Sequence, residues 1–185
     1  MKSVAKVFLV SLFTFLSSCD NSRINPAVSD LMYRHINIPL DKLEKRECSY
    51  FKRKTDIDKE YTLIVYLEEV SCVPCEISEL SKIERENRND ELWNKLHKTF
   101  IVNAHPRDVN TLYTIACGQR IENDVFFDTC GIFRKNNPVI TDSKVCHSFI
   151  LDSDNKVILV GNPFKNSKLK ELFSKVVKEE MTKRR

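Results

Sequence analysis

Two cysteines separated by two residues, Cys72 and Cys75, form the pattern in this sequence best suited to chemistry. Two intervening residues on the first turn of a helix bring the sulfurs close enough to bond. The unpaired N–H groups and partial positive charge of a helix N-terminus stabilise a thiolate, the attacking form of cysteine. Pro74 suits this place because a first-turn residue needs no N–H. We therefore expect Cys72 to be the nucleophile and Cys75 to resolve the mixed disulfide.

The segments on either side of the cysteine pair favour this redox interpretation. Tyr61–Leu67 (YTLIVYL) is a continuous apolar run of the kind that forms a strand buried on both faces. Ile77, Leu80 and Ile83 follow the pair at helical spacing. Two other interpretations of the pair stay open, a structural disulfide and half of a metal site.

Strand-like and helix-like segments alternate along the rest of the chain. Predicted strands cover residues 99–102, 125–127, 147–151 and 157–160, and predicted helices cover the periodic apolar residues of 109–116 and 169–177. Leu92, Trp93 and Leu96 either extend the first helix or form a second one. Alternation of this kind favours parallel pairing of the early strands, with an antiparallel hairpin at the end. The predicted fold class is α/β, with a central mixed β-sheet flanked by α-helices.

The first 19 residues have the organisation of a secretion leader. Lys2 and Lys6 supply positive charge, and residues 7–15 form an apolar run too short to span a bilayer, which needs about 20 apolar residues. The stretch LSSC at residues 16–19 resembles the lipobox of bacterial lipoproteins. The resemblance implies cleavage before Cys19 and attachment of acyl chains such as palmitate to that cysteine, which anchors the protein to a membrane. The alternative is an ordinary secretory signal with an incidental cysteine.

These features predict four parts of the chain. They are a signal peptide at 1–18, the lipidated cysteine and a tether at 19–27, an N-terminal extension at 28–60, and an α/β redox domain at 61–181. Residues 35–38 of the extension alternate in polarity and predict an edge strand. We expect a lipid-anchored domain that faces the periplasm of a bacterial cell envelope, in a compartment where disulfides persist. The sequence leaves open which membrane holds the lipid.

Residues from about 61 to 178 resemble the thioredoxin-like superfamily, and most closely the membrane-tethered TlpA/ResA thiol–disulfide oxidoreductases. The matching pieces are the strand YTLIVYL, the motif CVPC at 72–75, and the late blocks FILD at 149–152 and NKVI at 155–158. The resemblance covers about two thirds of the chain. It implies electron exchange with cysteine-containing extracytoplasmic proteins and with a redox partner, without a cofactor.

The sequence departs from this family at two positions. The family has an aromatic residue before the first cysteine, where this chain has Ser71, and a cis-proline loop where this chain has Cys146. If the fold is right, Cys146 and His147 approach the CVPC pair. Three hypotheses follow: a soft-metal site formed with Cys72 and Cys75, a third redox cysteine, or a buried small apolar residue. The first would make the chain a metal-binding or metal-delivery protein, although we assign no metal.

Two further cysteines and the composition complete the expectations. Cys117 and Cys130 flank a predicted strand and are candidates for a structural disulfide, with simple burial as the alternative. Only three glycines occur in the chain, so no Gly-rich cradle for a nucleotide phosphate can be built. The net charge is +4, two units of which belong to Lys2 and Lys6, and this balance gives no reason to invoke nucleic acid. A non-catalytic binding lipoprotein remains the third candidate function.

Overall fold

The computed structural model describes residues 25–46, 60–68, 72–140 and 143–183. The predicted signal peptide, the lipidation site Cys19 and most of the predicted tether lie outside these residues, so those expectations stay predictions. Within the described part of the chain, no helix combines the length and apolar character needed to cross a bilayer.

One mixed β-sheet forms the centre of the described chain. Its strands are β1 (Glu44–Arg46), β2 (Tyr61–Leu67), β3 (Leu96–Asn103), β4 (Asp124–Asp128), β5 (Ser148–Leu151) and β6 (Val157–Val160), arranged in the order β1-β4-β3-β2-β5-β6. Strands β2, β3 and β4 are parallel, whereas β5 and β6 form an antiparallel hairpin beside β2 and β1 runs antiparallel to β4. The predicted α/β class, with early parallel strands and a terminal hairpin, is confirmed.

Helices cover both faces of this sheet. They are α1 (Pro26–Leu31), α2 (Val73–Asn87), α3 (Glu91–Asn94), α4 (Val109–Gly118), α5 (Ile132–Asn136) and α6 (Ser167–Lys183). Three short 3-10 turns lie at Leu40–Lys42, Pro106–Asp108 and Lys144–His147. Residues 26–46, which were predicted as tether and extension, thus form helix α1 and a strand, β1, that belongs to the same sheet.

The central position of β2 explains its continuous apolar sequence. This strand is hydrogen-bonded to β3 on one side and β5 on the other, so both of its faces are covered. Leu63, Val65 and Leu67 face one hydrophobic core, and Ile64 and Tyr66 face a second core on the opposite side of the sheet. Alternate residues of a strand point to opposite faces of the sheet. When both faces are buried, apolar residues therefore follow one another without alternating with polar ones.

The first core holds the helix that follows the cysteine pair. Val73, Ile77, Leu80 and Ile83 of α2 are all buried in it, as the helical spacing predicted. α4 contributes Val109, Leu112 and Ala116 to the same core, and α6 contributes Phe173 and Val177. Each buried apolar side chain of this kind contributes about 1.5–3 kcal/mol, and together they fix the start of α2 relative to β2.

Two short segments differ from the sequence-based expectation. The edge strand predicted at residues 35–38 is wrong, because His35 makes only an isolated bridge with Lys156. The chain instead reaches the sheet at β1, whose charged sequence Glu-Lys-Arg carries no apolar signal for a strand. Leu92 and Trp93 belong to the separate helix α3, whereas Leu96 begins β3. Asp90 caps α3 by accepting a hydrogen bond from Trp93 N at 3.0 Å.

A buried carboxylate fastens α2 to the loop after α4. Glu84 is 7% exposed and accepts hydrogen bonds from the backbone N–H of Glu122, at 3.2 Å, and from the side-chain amide of Asn123. Burial raises the pKa of Glu84 to about 7, and the charge of Glu122 adds to this rise, whereas the Glu122 N–H lowers the pKa. The ordinary value is 4.5, so the folded chain binds a proton at Glu84 more tightly than the unfolded chain does.

We predict that Glu84 makes the chain less stable as pH rises from about 4.5 to about 7. In this window the folded state holds more protons than the unfolded state, so the free energy of unfolding falls with pH, by about 3 kcal/mol in total. Glu84→Gln removes this titration. Denaturant unfolding at pH 5 and pH 8 should therefore show a smaller pH dependence in Glu84→Gln than in the unchanged chain. An identical dependence in both proteins would contradict the prediction.

Candidate redox site

Cys72 and Cys75 form a disulfide at the start of α2. Their Cα atoms are 5.3 Å apart, and Cys72 occupies the N-cap position of the helix while Cys75 lies on its first turn. Pro74 is within the first two helical positions, as expected from its missing N–H. The strand-to-helix placement predicted for the pair is therefore observed.

The disulfide lies at the N-terminus of α2, which is the positive end of the helix dipole. The Cys72 carbonyl accepts the first helical hydrogen bond from Glu76 N, at 3.0 Å, and the Cys72 side chain makes no capping hydrogen bond. The N–H groups of Val73 and Cys75 belong to the set that no earlier helical carbonyl satisfies. A thiolate released here by reduction gains from these groups and from the dipole of a 15-residue helix.

Exposure makes the disulfide accessible to another protein. Both cysteines are exposed, whereas Val73 between them is 5% exposed and packs in the first core. The helix start is thus anchored by one side chain while its sulfurs face outward. Because both residues are exposed, exposure does not show which cysteine attacks the substrate. The assignment of Cys72 as the nucleophile therefore stays a prediction, based on its place at the outer end of the helix.

A group of polar side chains lies on the same edge of the sheet, where β2 ends. Glu68, which follows β2 and is 8% exposed, forms an ion pair with Arg134 of α5. His147 Nε2 lies 3.9 Å from the second oxygen of Glu68, and the His147 ring meets the Tyr66 ring edge-on at 5.6 Å. We refer to Tyr66, Glu68, Arg134 and His147 as the polar cluster. Three residues separate Glu68 from Cys72, so their Cα atoms are at most about 14 Å apart.

The electrostatics of this cluster keep the Tyr66 hydroxyl protonated. Burial, together with the negative charges of Glu68 and Asp128, raises the pKa of Tyr66 to about 12, against a smaller lowering by Arg134. At neutral pH the hydroxyl is therefore available as a hydrogen-bond donor as well as an acceptor.

The residues suggested as a metal site with the cysteine pair are not brought together. Cys146 is a free cysteine that is 0% exposed and packs in the second core, while its sequence neighbour His147 belongs to the polar cluster. Among the described residues, no three His, Cys, Asp or Glu side chains form a group able to hold a metal. The structure therefore contradicts the hypothesis that Cys72, Cys75, Cys146 and His147 together form a metal site. Cys146 has the surroundings of a small apolar core residue, which also removes it as an accessible third redox thiol.

The disulfide suggested between Cys117 and Cys130 is also wrong. Cys117 is disulfide-bonded, but Cys130 is a free, exposed cysteine. Cys72 and Cys75 bond to each other and Cys146 is free, so the partner of Cys117 lies outside the described residues. Spacing along the chain could not reveal this, because the pairing of cysteines far apart in the sequence cannot be deduced from the sequence alone.

Sequence reasoning missed the polar cluster apart from His147. Glu68 carried a weak signal, since it follows the carboxyl end of a parallel strand, the edge at which sites form in α/β sheets. Arg134 carried none, because it lies 66 residues from its partner Glu68. Tyr66 looked like an ordinary member of the apolar strand.

No protein-family model matches the chain, and no curated protein matches it. Solved structures do match, 49 chains in all. One is an uncharacterized thioredoxin-like protein from Porphyromonas gingivalis, with 13% identity over 74% of this chain and 86% of that one, at a TM-score of 0.45. A thiol-disulfide oxidoreductase from Bacteroides fragilis has 16% identity over 64% and 85%, also at 0.45. A secreted Mycobacterium tuberculosis disulfide oxidoreductase has 14% identity over 64% and 81%, at 0.40.

The fold is α/β and is similar to that of these thioredoxin-like proteins. It consists of a mixed sheet with helices on both faces and a CxxC disulfide that opens the helix after the central strand. Similarities at this level of identity and TM-score carry no argument about activity. The chemistry must therefore be argued from the residues of this chain.

We predict that the two free cysteines of the described residues react differently with an alkylating reagent. Iodoacetamide added to the folded, oxidised protein should label Cys130, which is exposed, and should label Cys146 only after unfolding, because that side chain is 0% exposed. Peptide mapping by mass spectrometry measures both sites. Rapid labelling of Cys146 in the folded protein would contradict its place in the second core.

Proposed function

We propose that this chain is an extracytoplasmic, membrane-anchored thiol–disulfide oxidoreductase whose reactive group is the Cys72–Cys75 pair. The observation that carries the proposal is an exposed disulfide at the N-terminus of α2, a helix whose first turn is anchored in the first core by Val73. The proposed substrates are cysteine-containing proteins outside the cytoplasm.

In the reducing direction the reaction begins with the dithiol form. The Cys72 thiolate attacks one sulfur of a substrate disulfide, forming a Cys72–substrate disulfide and releasing the other substrate sulfur as a thiolate. The N-terminal N–H groups of α2 stabilise the attacking thiolate and so increase its fraction at neutral pH.

The second step restores the disulfide seen here. Deprotonated Cys75 attacks the Cys72 sulfur, the Cys72–Cys75 bond forms, and the second substrate thiolate leaves. Two electrons have then passed from the dithiol to the substrate. A separate thiol-containing redox partner must supply two electrons before the next cycle, and the same steps in reverse oxidise a substrate dithiol.

Two features of the chain support the compartment. Cys117 is disulfide-bonded in addition to the Cys72–Cys75 pair, and structural disulfides persist in oxidising spaces. The leader at residues 1–18 and the lipobox-like stretch before Cys19 supply a route of export and an anchor. Residues 19–24 would then connect the lipid to α1, which begins at Pro26. On this basis we propose a location on a membrane surface facing the periplasm.

We predict that Cys72→Ser reduces insulin-reduction activity to the uncatalysed background. Loss of the attacking thiolate blocks the first step. Cys75→Ser should instead accumulate a mixed disulfide with the substrate on Cys72, because no second thiol resolves it. The readouts are turbidity of reduced insulin in the presence of dithiothreitol, and a dithiothreitol-sensitive adduct in non-reducing electrophoresis.

Cys130→Ser is the matched control for this experiment. It removes an exposed free thiol outside the proposed reaction and should leave the rate unchanged. No activity in the unchanged protein would favour the non-catalytic binding lipoprotein over the oxidoreductase. Full activity in Cys72→Ser would show that Cys72 is not the attacking thiol.

We predict that Cys19→Ala abolishes lipid attachment when the full chain is expressed in a bacterium that processes lipoproteins. The acyl chains require that sulfur and the new amino terminus. Incorporation of radiolabelled palmitate and recovery in the membrane fraction measure the effect. Cys130→Ala, which alters an exposed free cysteine outside the leader, should keep both. Equal labelling of Cys19→Ala would show that residues 16–19 are not a lipidation site.

A further inference from the structure

A cavity of about 610 Å³ opens beside the polar cluster, on the face of the sheet opposite α2. Its lining residues are Tyr66, Asn103, Gly131, Arg134, Lys135, Pro138 and Ile140. They come from the ends of β2 and β3 and from α5 with its flanking loops. The volume lies within the range of small-ligand sites, and the carboxyl edge of parallel strands is where such sites form.

A buried polar atom in the lining lacks a partner. Tyr66 is 1% exposed, and among the described residues its hydroxyl makes no hydrogen bond of ordinary geometry. The Asn103 side chain lies near enough to lower the pKa of Tyr66 slightly, without satisfying the hydroxyl in this way. A buried hydroxyl without a partner is costly, so its presence in a cavity wall points to a ligand that completes it.

The opposite wall of the cavity is held rigid at both ends of α5. Asp128 accepts hydrogen bonds from the backbone N–H groups of Ile132, at 2.9 Å, and Phe133, at 2.8 Å. Asn137, at the other end, donates to the carbonyl of Asn37 at 2.8 Å and accepts from the Asn37 N–H at 2.8 Å. These bonds fix the position of Arg134 and Lys135 between them, so the cavity exists without a ligand to shape it.

Most of the lining surface is apolar, and its polar side chains are hydrogen-bond donors or cations. Arg134 and Lys135 are cationic, Tyr66 and Asn103 carry neutral donors, and none of the lining residues is acidic. The two nearby carboxylates are already engaged, Glu68 by Arg134 and Asp128 by the helix N–H groups. Lys135 is exposed at the rim of the cavity, and its ammonium group donates a hydrogen bond to the Cys130 carbonyl at 2.8 Å.

We propose that this cavity binds the carboxylate group of a ligand whose apolar part lies against Pro138 and Ile140. The Tyr66 hydroxyl and the Lys135 ammonium group donate to the carboxylate, and Arg134 adds positive charge. One carboxylate accepts several donors at once, and hydrogen bonds between charged partners are stronger than neutral ones. The carboxylate belongs either to a free short-chain acid or to the C-terminus of a peptide.

This inference does not depend on the proposed redox function. It uses no atom of Cys72 or Cys75, and the cavity is present while those cysteines are oxidised. Binding is therefore measured on the oxidised protein and repeated with the double variant Cys72→Ser and Cys75→Ser. If the protein binds the acids but does not reduce insulin, the cavity proposal stands and the redox proposal fails. If it reduces insulin but does not bind the acids, the redox proposal stands and the cavity proposal fails.

The experiment titrates the mature, nitrogen-15-labelled protein with three probes and follows its amide spectrum. The probes are 4-methylpentanoate, the peptide acetyl-Gly-Leu with a free carboxylate, and the same peptide as a C-terminal amide. Saturable shifts at residue 103 and residues 131–140 with either acid, and none with the amide, are the expected result. Tighter binding of the peptide identifies a peptide terminus as the ligand, and tighter binding of the free acid identifies a small metabolite.

Two variants test the named side chains. Tyr66→Phe keeps the ring and removes only the hydroxyl, so it should weaken the acid about tenfold or more. It should also raise the thermal midpoint by about 2–4 °C, because an unsatisfied buried group is lost. A purely structural hydroxyl would not give this combination. Lys135→Gln, at an exposed residue, should weaken binding without affecting folding.

Lys168→Gln is the control, because it neutralises an exposed cation on α6, across the sheet from the cavity. Its affinity should equal that of the unchanged protein. The proposal is overturned if neither acid causes saturable shifts, if the amide binds as well as the acids, or if Tyr66→Phe and Lys135→Gln bind as tightly as the control.

Discussion

The burial of β2 is the constraint on which the rest of the site depends. This strand lies between β3 and β5 and is covered on both faces, so the chain leaves it at a fixed point and in a fixed direction. Val73 and Ile77 then insert into the first core and determine where α2 begins. The apolar side chains that hold the fold together thereby also position Cys72 at a helix N-terminus, where a thiolate is stabilised.

The reactive and charged side chains at this edge of the sheet lie on its two opposite faces. On one face, α2 carries the disulfide and is fastened through Glu84 to the loop after α4. On the other, Glu68 connects β2 to α5 through Arg134 and approaches His147 before β5. Since Glu68 and Cys72 are separated by three residues, both groups depend on the same strand end. A change that unseats β2 would therefore disturb both faces together.

Local pattern was sufficient to predict the elements that bury an apolar face. Tyr61–Leu67 and the spacing of Ile77, Leu80 and Ile83 each specify an element without information from elsewhere in the chain. β1 escaped prediction because its three charged residues are held by pairing with β4 and not by burial of their own side chains. The Glu68–Arg134 ion pair escaped for a related reason, since its partners meet only after the sheet has formed.

Cysteine chemistry shows the same division between local and long-range information. The Cys72–Cys75 pair could be proposed from spacing, because one helical turn brings those two sulfurs together. The bond of Cys117 and the free thiol of Cys130 depend on tertiary packing, and the disulfide suggested between these two cysteines was wrong. The burial of Cys146 was one of three hypotheses, and only the folded chain distinguishes among them. Each of these cysteines required the folded chain before its state could be assigned.

The shortness of the Cys72–Cys75 loop bears on its role. A disulfide stabilises a fold mainly by restricting the unfolded chain, and this effect grows with the length of the loop it closes. A bond between residues three apart, at a turn that α2 already forms, adds little of this restriction. It is also exposed, whereas a structural disulfide gains from being shielded from exchange. Its position therefore suits a bond that is made and broken in function better than one that holds the fold together.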